Sequence, residues 1–430
     1  MFARILGLDS IIKICLSRVF DMHIVFFTHL FPVRGRTTGG AANYVANIAR
    51  IMAEHGHLVE IITESEFEET FYWNNIIVHK IKATRGFQDT GKQMSVVKKL
   101  LKNICRSYWY NKEAARIHKE KKIDIIQSVN SYGLALLRKR NIPYLVRLSD
   151  YPALWSGANR PEFDFNQCIA SRRFDEEIQF IALKRADALV VPSVLVQQLI
   201  YDRIGKKPQL VESPVLIEEE EYTDFKESFE SDPYFLTYSE LNYRKEIHIV
   251  AKIVDKLLTQ YPDMKYIVCG RDRLILYGNK YILVSELFQL SVTQHADRFI
   301  FMGEISNRKR MFSIIKHAKL CILPTRVDNL PNTCLEAMAF GKIVVSSTSH
   351  YKTSVEQLLI DGYNGFLSDV DNEESLYQKI VYAMQLLDAD KELLQNRAME
   401  RVKELTPEKV YVKMMAIYEK TIENFKQSKQ

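Results

Sequence analysis

The feature that most constrains this chain is an alternation. Short, nearly unbroken apolar runs take turns with stretches whose apolar residues recur at helical spacing. The first run covers residues 23–27. A glycine-bearing loop follows, then a helical pattern from Asn43 to Ala49 that Gly56 closes. Further strand-like runs fall at 58–63, 76–81, 123–129, 144–148 and 188–191. Strands that are apolar on both faces belong in parallel sheets with helices packed on either side, so the expected fold class is α/β.

The alternation breaks once. Residues 217–232 hold four successive glutamates, Glu218 to Glu221, and then a polar, acidic stretch that reads as a solvated connector. Strand-like runs resume at 235–241, 265–269, 299–302, 320–323 and 343–346, with helices expected at 247–258 and around Phe312 and Ile315. A chain of 430 residues exceeds the size at which one core stops growing. The expected organisation is two Rossmann-like domains facing across a cleft, at 22–216 and 233–406. A last helix, 407–430, is expected to cross their junction. Residues 1–21 are apolar but broken by Arg4, Asp9, Lys13 and Arg18, unlike a secretory leader. They read either as a weakly membrane-seeking amphipathic helix or as an extension upstream of a natural start at Met22; the second is favoured.

Composition excludes several classes. Hydrophobic residues at 47% and charged residues at 26% are the balance of a soluble globular chain. A net charge of +6 is too sparse for a nucleic-acid binder, yet suits an anionic ligand or a glancing contact with anionic lipid. Six cysteines without a C-x-x-C pair read as buried thiols of a reducing cytoplasm. No run of 18 uncharged apolar residues exists, so no transmembrane helix is expected.

Four segments carry candidate chemistry. Gly39 and Gly40 lie between the first strand and its helix, where glycine lets a ligand approach and a helix start favours negative charge. G-x-G-x-x-G is absent, which argues against a nicotinamide cofactor. The second segment follows the strand at 320–323. Asp328, Asn329 and Leu330 form a loop, Pro331 suits a first helical turn, and Asn332 and Thr333 supply helix-start amides. Glu336 sits more than one turn in, and Gly341 ends the helix. A loop carboxylate, an anion-binding helix start and a helical carboxylate thus share one crevice at the carboxyl edge of a sheet, where open α/β sheets bind ligands.

This stretch resembles the E-x7-E signature of retaining glycosyltransferases of family four, which have the GT-B fold. Asp328 and Glu336 have seven residues between them, and L-P-N-x-x-L-E-A-M-A-x-G surrounds them. GGAANYVANIARIMAEHGHLVEIIT, RADALVVPS and DGYNGFL resemble other family segments, in the family's order, and the resemblance spans roughly Met22 to the end. It implies roles for the remaining segments. In the family, the loop holding Tyr243, Arg244, Lys245 and Glu246 supplies an arginine and a lysine to the donor diphosphate. Lys245 falls at the lysine position, but Glu240 occupies the arginine position. Arg244, or Arg271 after Gly270, is then the candidate for the missing charge. Ser149 stands where the family often has histidine, followed by the retained Asp150. The bland reading of Ser149 and Asp150 is a capped turn.

The resemblance implies transfer of a sugar from a nucleotide diphosphate sugar to a hydroxyl-bearing glycan or lipid-linked acceptor. Asp328, Lys245 and Asp150 would be catalytic. No cofactor, metal or nucleic acid is expected. Asp369-Val370-Asp371 and Asp388-Ala389-Asp390 resemble D-x-D but read as a surface loop and a solvated helix. A sugar-nucleotide epimerase and a silent partner subunit are the alternatives on the same architecture; Glu240 and Ser149 are the residues that keep the latter open. The basic stretch 96–106, followed by Tyr108, Trp109 and Tyr110, reads either as a packed helix with a solvated charged face or as a contact with anionic membrane.

Overall fold

The computed structural model describes residues 22–31, 40–84, 95–216, 227, 229 and 231–429. The segment 1–21, Gly39 and most of the acidic connector lie outside the described residues.

Eight strands build the first sheet: β1 (His23–Thr28), β2 (Leu58–Glu64), β3 (Glu69–Trp73), β4 (Ile76–Ile81), β5 (Ile125–Val129), β6 (Tyr144–Arg147), β7 (Ala188–Val191) and β8 (Gln209–Leu210). Their order is β3-β4-β2-β1-β5-β6-β7-β8, parallel except for β3 on the edge. The second half contributes β9 (Tyr234–Tyr238), β10 (Lys265–Cys269), β11 (Leu274–Tyr277), β12 (Lys280–Leu283), β13 (Phe299–Gly303), β14 (Leu320–Ile322), β15 (Val344–Thr348) and β16 (Phe366–Asp369). Six of these form a parallel sheet in the order β13-β10-β9-β14-β15-β16, while β11 and β12 make a separate antiparallel hairpin. In each sheet the strand order reverses beside the first strand, at β1/β5 and at β9/β14. Such a switch point opens a crevice beyond the carboxyl ends of the strands.

The α/β class with two parallel sheets facing a cleft is what forms. Strand lengths differ from expectation. The run expected at 235–241 leaves the sheet after Tyr238, because the chain turns there to meet Gly270. Asp369, read as a loop residue, ends β16 and pairs with Thr348. Asp388 opens the helix Asp388–Lys403.

Both faces of each sheet are buried, as their apolar strands require. One core runs through the first half. Two lie on either face of the second sheet. The helix Pro407–Gln427 returns to the first half, where Val410, Met414 and Tyr418 join the first core. Tyr418 donates to Gln127 Oε1 (2.5 Å), and the Tyr411 ring stacks on His55 at 3.7 Å.

Candidate active site

The two loops at the β9/β14 switch point are laced together. The Arg244 carbonyl accepts from Thr325 Oγ1 (3.0 Å) and from the Arg326 amide (2.9 Å). Tyr238, the last residue of β9, donates its hydroxyl to the Thr333 carbonyl (2.6 Å) and pins the helix Asn332–Ala339 against the strand end. Pro331 is the cap of that helix rather than a member of its first turn, and its carbonyl accepts from Leu335 (3.2 Å). The amides of Asn332 and Thr333 therefore have no intrahelical acceptor and form the positive end of the helix.

Gly270 makes this packing possible. Its φ is +154°, and a Cβ there would lie 2.2 Å from the Ser239 carbonyl oxygen and 2.7 Å from Leu241 Cγ. Only glycine lets the loop after β10 approach the loop after β9 so closely.

Charges converge on this crevice. Lys245, nearly buried, forms an ion pair with Asp328, and Arg244 lies 3.7 Å from the same carboxylate. Burial pushes the Asp328 carboxyl up, but Lys245 and Arg244 outweigh it and hold it below the ordinary value. Glu240 is not a bare charge. It accepts from Arg244 (3.0 Å) and pairs with Arg273 (2.7 Å). The Arg244 guanidinium stacks on the Trp155 ring, 3.6 Å from its centre. Arg271 points elsewhere: it is half exposed and bound to Glu304 (2.8 Å). Of the two arginines considered for the missing charge, the structure brings only Arg244 to Lys245 and Asp328.

The segment 326–336 faces the other half of the molecule. Arg326 pairs with the buried Glu246 and donates to the carbonyls of Arg160 (2.6 Å) and Pro161 (3.3 Å). Asn329 Oδ1 accepts from Ser193 Oγ (2.9 Å), and its amide nitrogen reaches the Leu148 carbonyl (3.4 Å). Leu330 faces inward and packs in the second half's core. Gly40 opens the helix Gly40–Glu54, and a Cβ on it would sit 3.7 Å from Asn332 Nδ2. Two helix amino-termini thus meet across the cleft. Beside them, Glu336 lines a cavity with Asn43, Tyr44, Ser213, Leu216 and Arg308. Burial pushes the Glu336 carboxyl up, against the pull of Arg308 at 3.9 Å.

On the facing wall, Asn130 joins two strand ends. It donates to Asp150 Oδ1 (2.9 Å) and accepts from the Ser149 amide (2.9 Å). Burial raises the Asp150 carboxyl, opposed by Asn130, Arg244 and Arg147. Ser149 Oγ accepts from Arg147 (3.1 Å), which also reaches Ser213 (2.9 Å) and covers the Tyr44 ring at 3.7 Å. Ser149 is thus held by a neighbouring guanidinium. Among the described residues, no group of three or more His, Cys, Asp or Glu is arranged to hold a metal ion. Trp155, Arg273, Asn130 and Arg326 escaped the sequence reading. Each acts through a partner distant in sequence, which only the fold supplies.

Two facing parallel sheets with a cation-lined crevice at the switch point define a GT-B architecture. Residues 38–213 match the Glycosyltransferase Family 4 profile, and 218–399 match that of Glycosyl transferases group 1. The chain belongs to the family-four glycosyltransferases. It is 21% identical over 393 residues to an uncharacterized glycosyltransferase of Methanocaldococcus jannaschii, covering 89% of this chain and 94% of that one. It is 24% identical over 210 residues to the GalNAc-alpha-(1->4)-GalNAc-alpha-(1->3)-diNAcBac-PP-undecaprenol alpha-1,4-N-acetyl-D-galactosaminyltransferase of Campylobacter jejuni, covering 48% of this chain and about half (53%) of that relative. Among solved structures, sucrose-phosphate synthase from Thermosynechococcus elongatus superposes with a TM-score of 0.68 at 16% identity, covering 93% of this chain and 98% of its own. An Anabaena protein in complex with UDP and glucose gives 0.63 at 14%, covering 92% and 99%. The matched families and relatives are glycosyltransferases, which sets the epimerase reading aside.

Proposed function

We propose that this glycosyltransferase moves a hexose-like unit from a nucleoside diphosphate sugar to a hydroxyl of a glycan or lipid-linked acceptor. The transfer retains anomeric configuration, as the family resemblance implies, and uses no metal ion. The observation that supports this reading most is the convergence of Lys245, Arg244 and two helix amino-termini on one crevice. Such a set binds a diphosphate without a cation.

The residues divide the work. The amides at Asn332 and Thr333, with Lys245 and Arg244, hold the diphosphate and stabilise its charge as it departs. Glu336 accepts hydrogen bonds from the ribose. An arriving diphosphate competes with Asp328 for Lys245, which frees Asp328 to accept from donor-sugar hydroxyls. Gly40, Ser149 and Asp150 shape the facing wall. The transition state resembles an oxocarbenium ion, so catalysis rests on positioning and on leaving-group stabilisation. Closure of the halves would exclude water that hydrolyses the donor. The named acceptor of the Campylobacter relative, carried on undecaprenol diphosphate, supports a lipid-linked acceptor. With it goes a proposed role at the cytoplasmic face in cell-surface polysaccharide or glycolipid synthesis. Arg244 and Arg273 neutralise Glu240, which weighs against a silent subunit.

The test is turnover of UDP-, GDP- and ADP-sugars by the full chain without acceptor. The expected result is slow donor hydrolysis with one base preferred and the anomeric configuration of the released sugar retained by NMR. No turnover of any donor, or an epimerised donor, would overturn the reading.

A further inference from the structure

We propose that Arg147 is a positioning residue for the transfer: it holds the Ser149 hydroxyl as a hydrogen-bond donor toward an oxygen of the transferred sugar. This role rests on the transferase reading.

Arg147 ends β6 and is only 4% exposed. Among the described residues it makes no ion pair. Its charge meets two hydroxyls and a ring instead. One terminal nitrogen donates to Ser149 Oγ (3.1 Å), the other donates to Ser213 Oγ (2.9 Å), and the guanidinium covers the Tyr44 ring at 3.7 Å. Its Nε is buried without an acceptor. A buried cation with no counter-ion lowers stability, and an apolar residue of similar size would pack as well or better. Arg147 therefore has a role other than packing.

The bond to Ser149 has one possible direction. A guanidinium has donors only, so Ser149 Oγ accepts and its own proton stays available. A hydroxyl polarised in this way also donates more strongly. The Ser149 amide is fixed too, by Asn130 Oδ1 (2.9 Å), while Asn130 Nδ2 holds Asp150 (2.9 Å). Next to Ser149, the Leu148 carbonyl receives the Asn329 amide of the opposite half (3.4 Å). The half-buried Ser149 thus stands where the loop of Asp328 meets the facing wall. Arg147 serves Asp150 as well. Burial raises that carboxyl, and Asn130, Arg244 and Arg147 oppose the rise.

The experiment is donor hydrolysis by the full chain as a function of pH, beside Tm and nucleoside diphosphate affinity. Arg147→Met, Arg147→Lys, Ser149→Ala and the double variant Arg147→Met/Ser149→Ala are compared with the parent. At alkaline pH, where Asp150 is ionised throughout, Arg147→Met and Ser149→Ala should each lower kcat roughly tenfold without weakening diphosphate binding, and the double variant should be no slower than Ser149→Ala. Arg147→Met should not lower Tm. It should move the acid limb of kcat/KM to higher pH, which Ser149→Ala should not. Arg147→Lys should restore that limb but not kcat, because an ammonium cannot fork to both hydroxyls. Additive losses, an unmoved acid limb or a lowered Tm in Arg147→Met would overturn the role while leaving the transferase reading intact. A parent chain without turnover would overturn that reading, and this role with it.

Discussion

At the residue scale, the chemistry depends on two carboxylates in different surroundings. Asp328 is held below its ordinary pKa by Lys245 and Arg244 despite burial, so it is an anion at neutral pH. Its proposed work is on the donor sugar. Asp328→Asn should therefore lower kcat by roughly a hundredfold without weakening nucleotide binding, since the variant no longer competes for Lys245. Steady-state kinetics set beside calorimetry separate the two quantities. Equal loss of both would leave Asp328 a binding role only. Arg244 differs in being shared. Trp155 supports its flat face, while Glu240 and Asp328 hold its edge. Arg244→Ala should weaken nucleoside diphosphate binding by roughly tenfold to a hundredfold and leave binding of the bare nucleoside unaltered. Trp155→Ala should give a smaller loss of the same kind, restored by Trp155→Phe. Removing Arg244 without effect on the diphosphate would return Glu240 to the status of an unexplained acid.

At the element scale, packing controls which loops can meet. Gly270→Ala must displace either the Ser239 carbonyl or Leu241, because its Cβ would lie inside their contact distance. The expected outcome is a loss on the order of 2 kcal/mol, read as a lower Tm, together with weaker diphosphate binding because residues 239–245 move. In the first sheet, Glu60 of β2 accepts from His23 (2.9 Å) and His79 (2.5 Å), both on neighbouring strands. Burial raises this carboxyl, but the two histidines outweigh burial and bring it down to about 2, against an ordinary value of 4.5. A depressed carboxylate stabilises the fold above its ordinary pKa and loses that contribution as pH falls toward the folded value. Between pH 4.5 and 2 the parent chain should lose stability that Glu60→Gln lacks throughout, on the order of 3 kcal/mol by denaturant titration. A variant with the same acid profile as the parent would sink that account.

The central strands were legible because they are apolar on both faces, and hydrophobic runs report that directly. The edges were not. β3 is half exposed, β8 has two residues, and β16 buries only Phe366 and Ser368. The β11–β12 hairpin did leave a signal, Gly278 with φ +59° beside Asn279 between two short apolar runs. Of the candidate site, the crevice of Asp328, Asn332 and Glu336 was legible in the loop-to-helix pattern after β14, whereas Lys245 came only through the family resemblance. The Trp155–Arg244 stack and the Glu240–Arg273 pair were hidden, since no local pattern reports a contact between separate halves or separate loops.

At the scale of the whole molecule, the segment 326–336 belongs structurally to one half and leans on the other. Arg326 reaches the carbonyls of Arg160 and Pro161, Asn329 meets Ser193, and the helix Pro407–Gln427 ties the chain's end back to the first core. These contacts couple the distance between the halves to the geometry of the crevice. Everything proposed of the reaction requires that crevice to receive a nucleotide with Glu336 against its ribose. Calorimetry of UDP, GDP and ADP binding to the parent chain and to Glu336→Ala tests this most directly. The account predicts that one of the three binds the parent and that the variant binds it at least roughly tenfold more weakly. A variant that binds as tightly as the parent would contradict it.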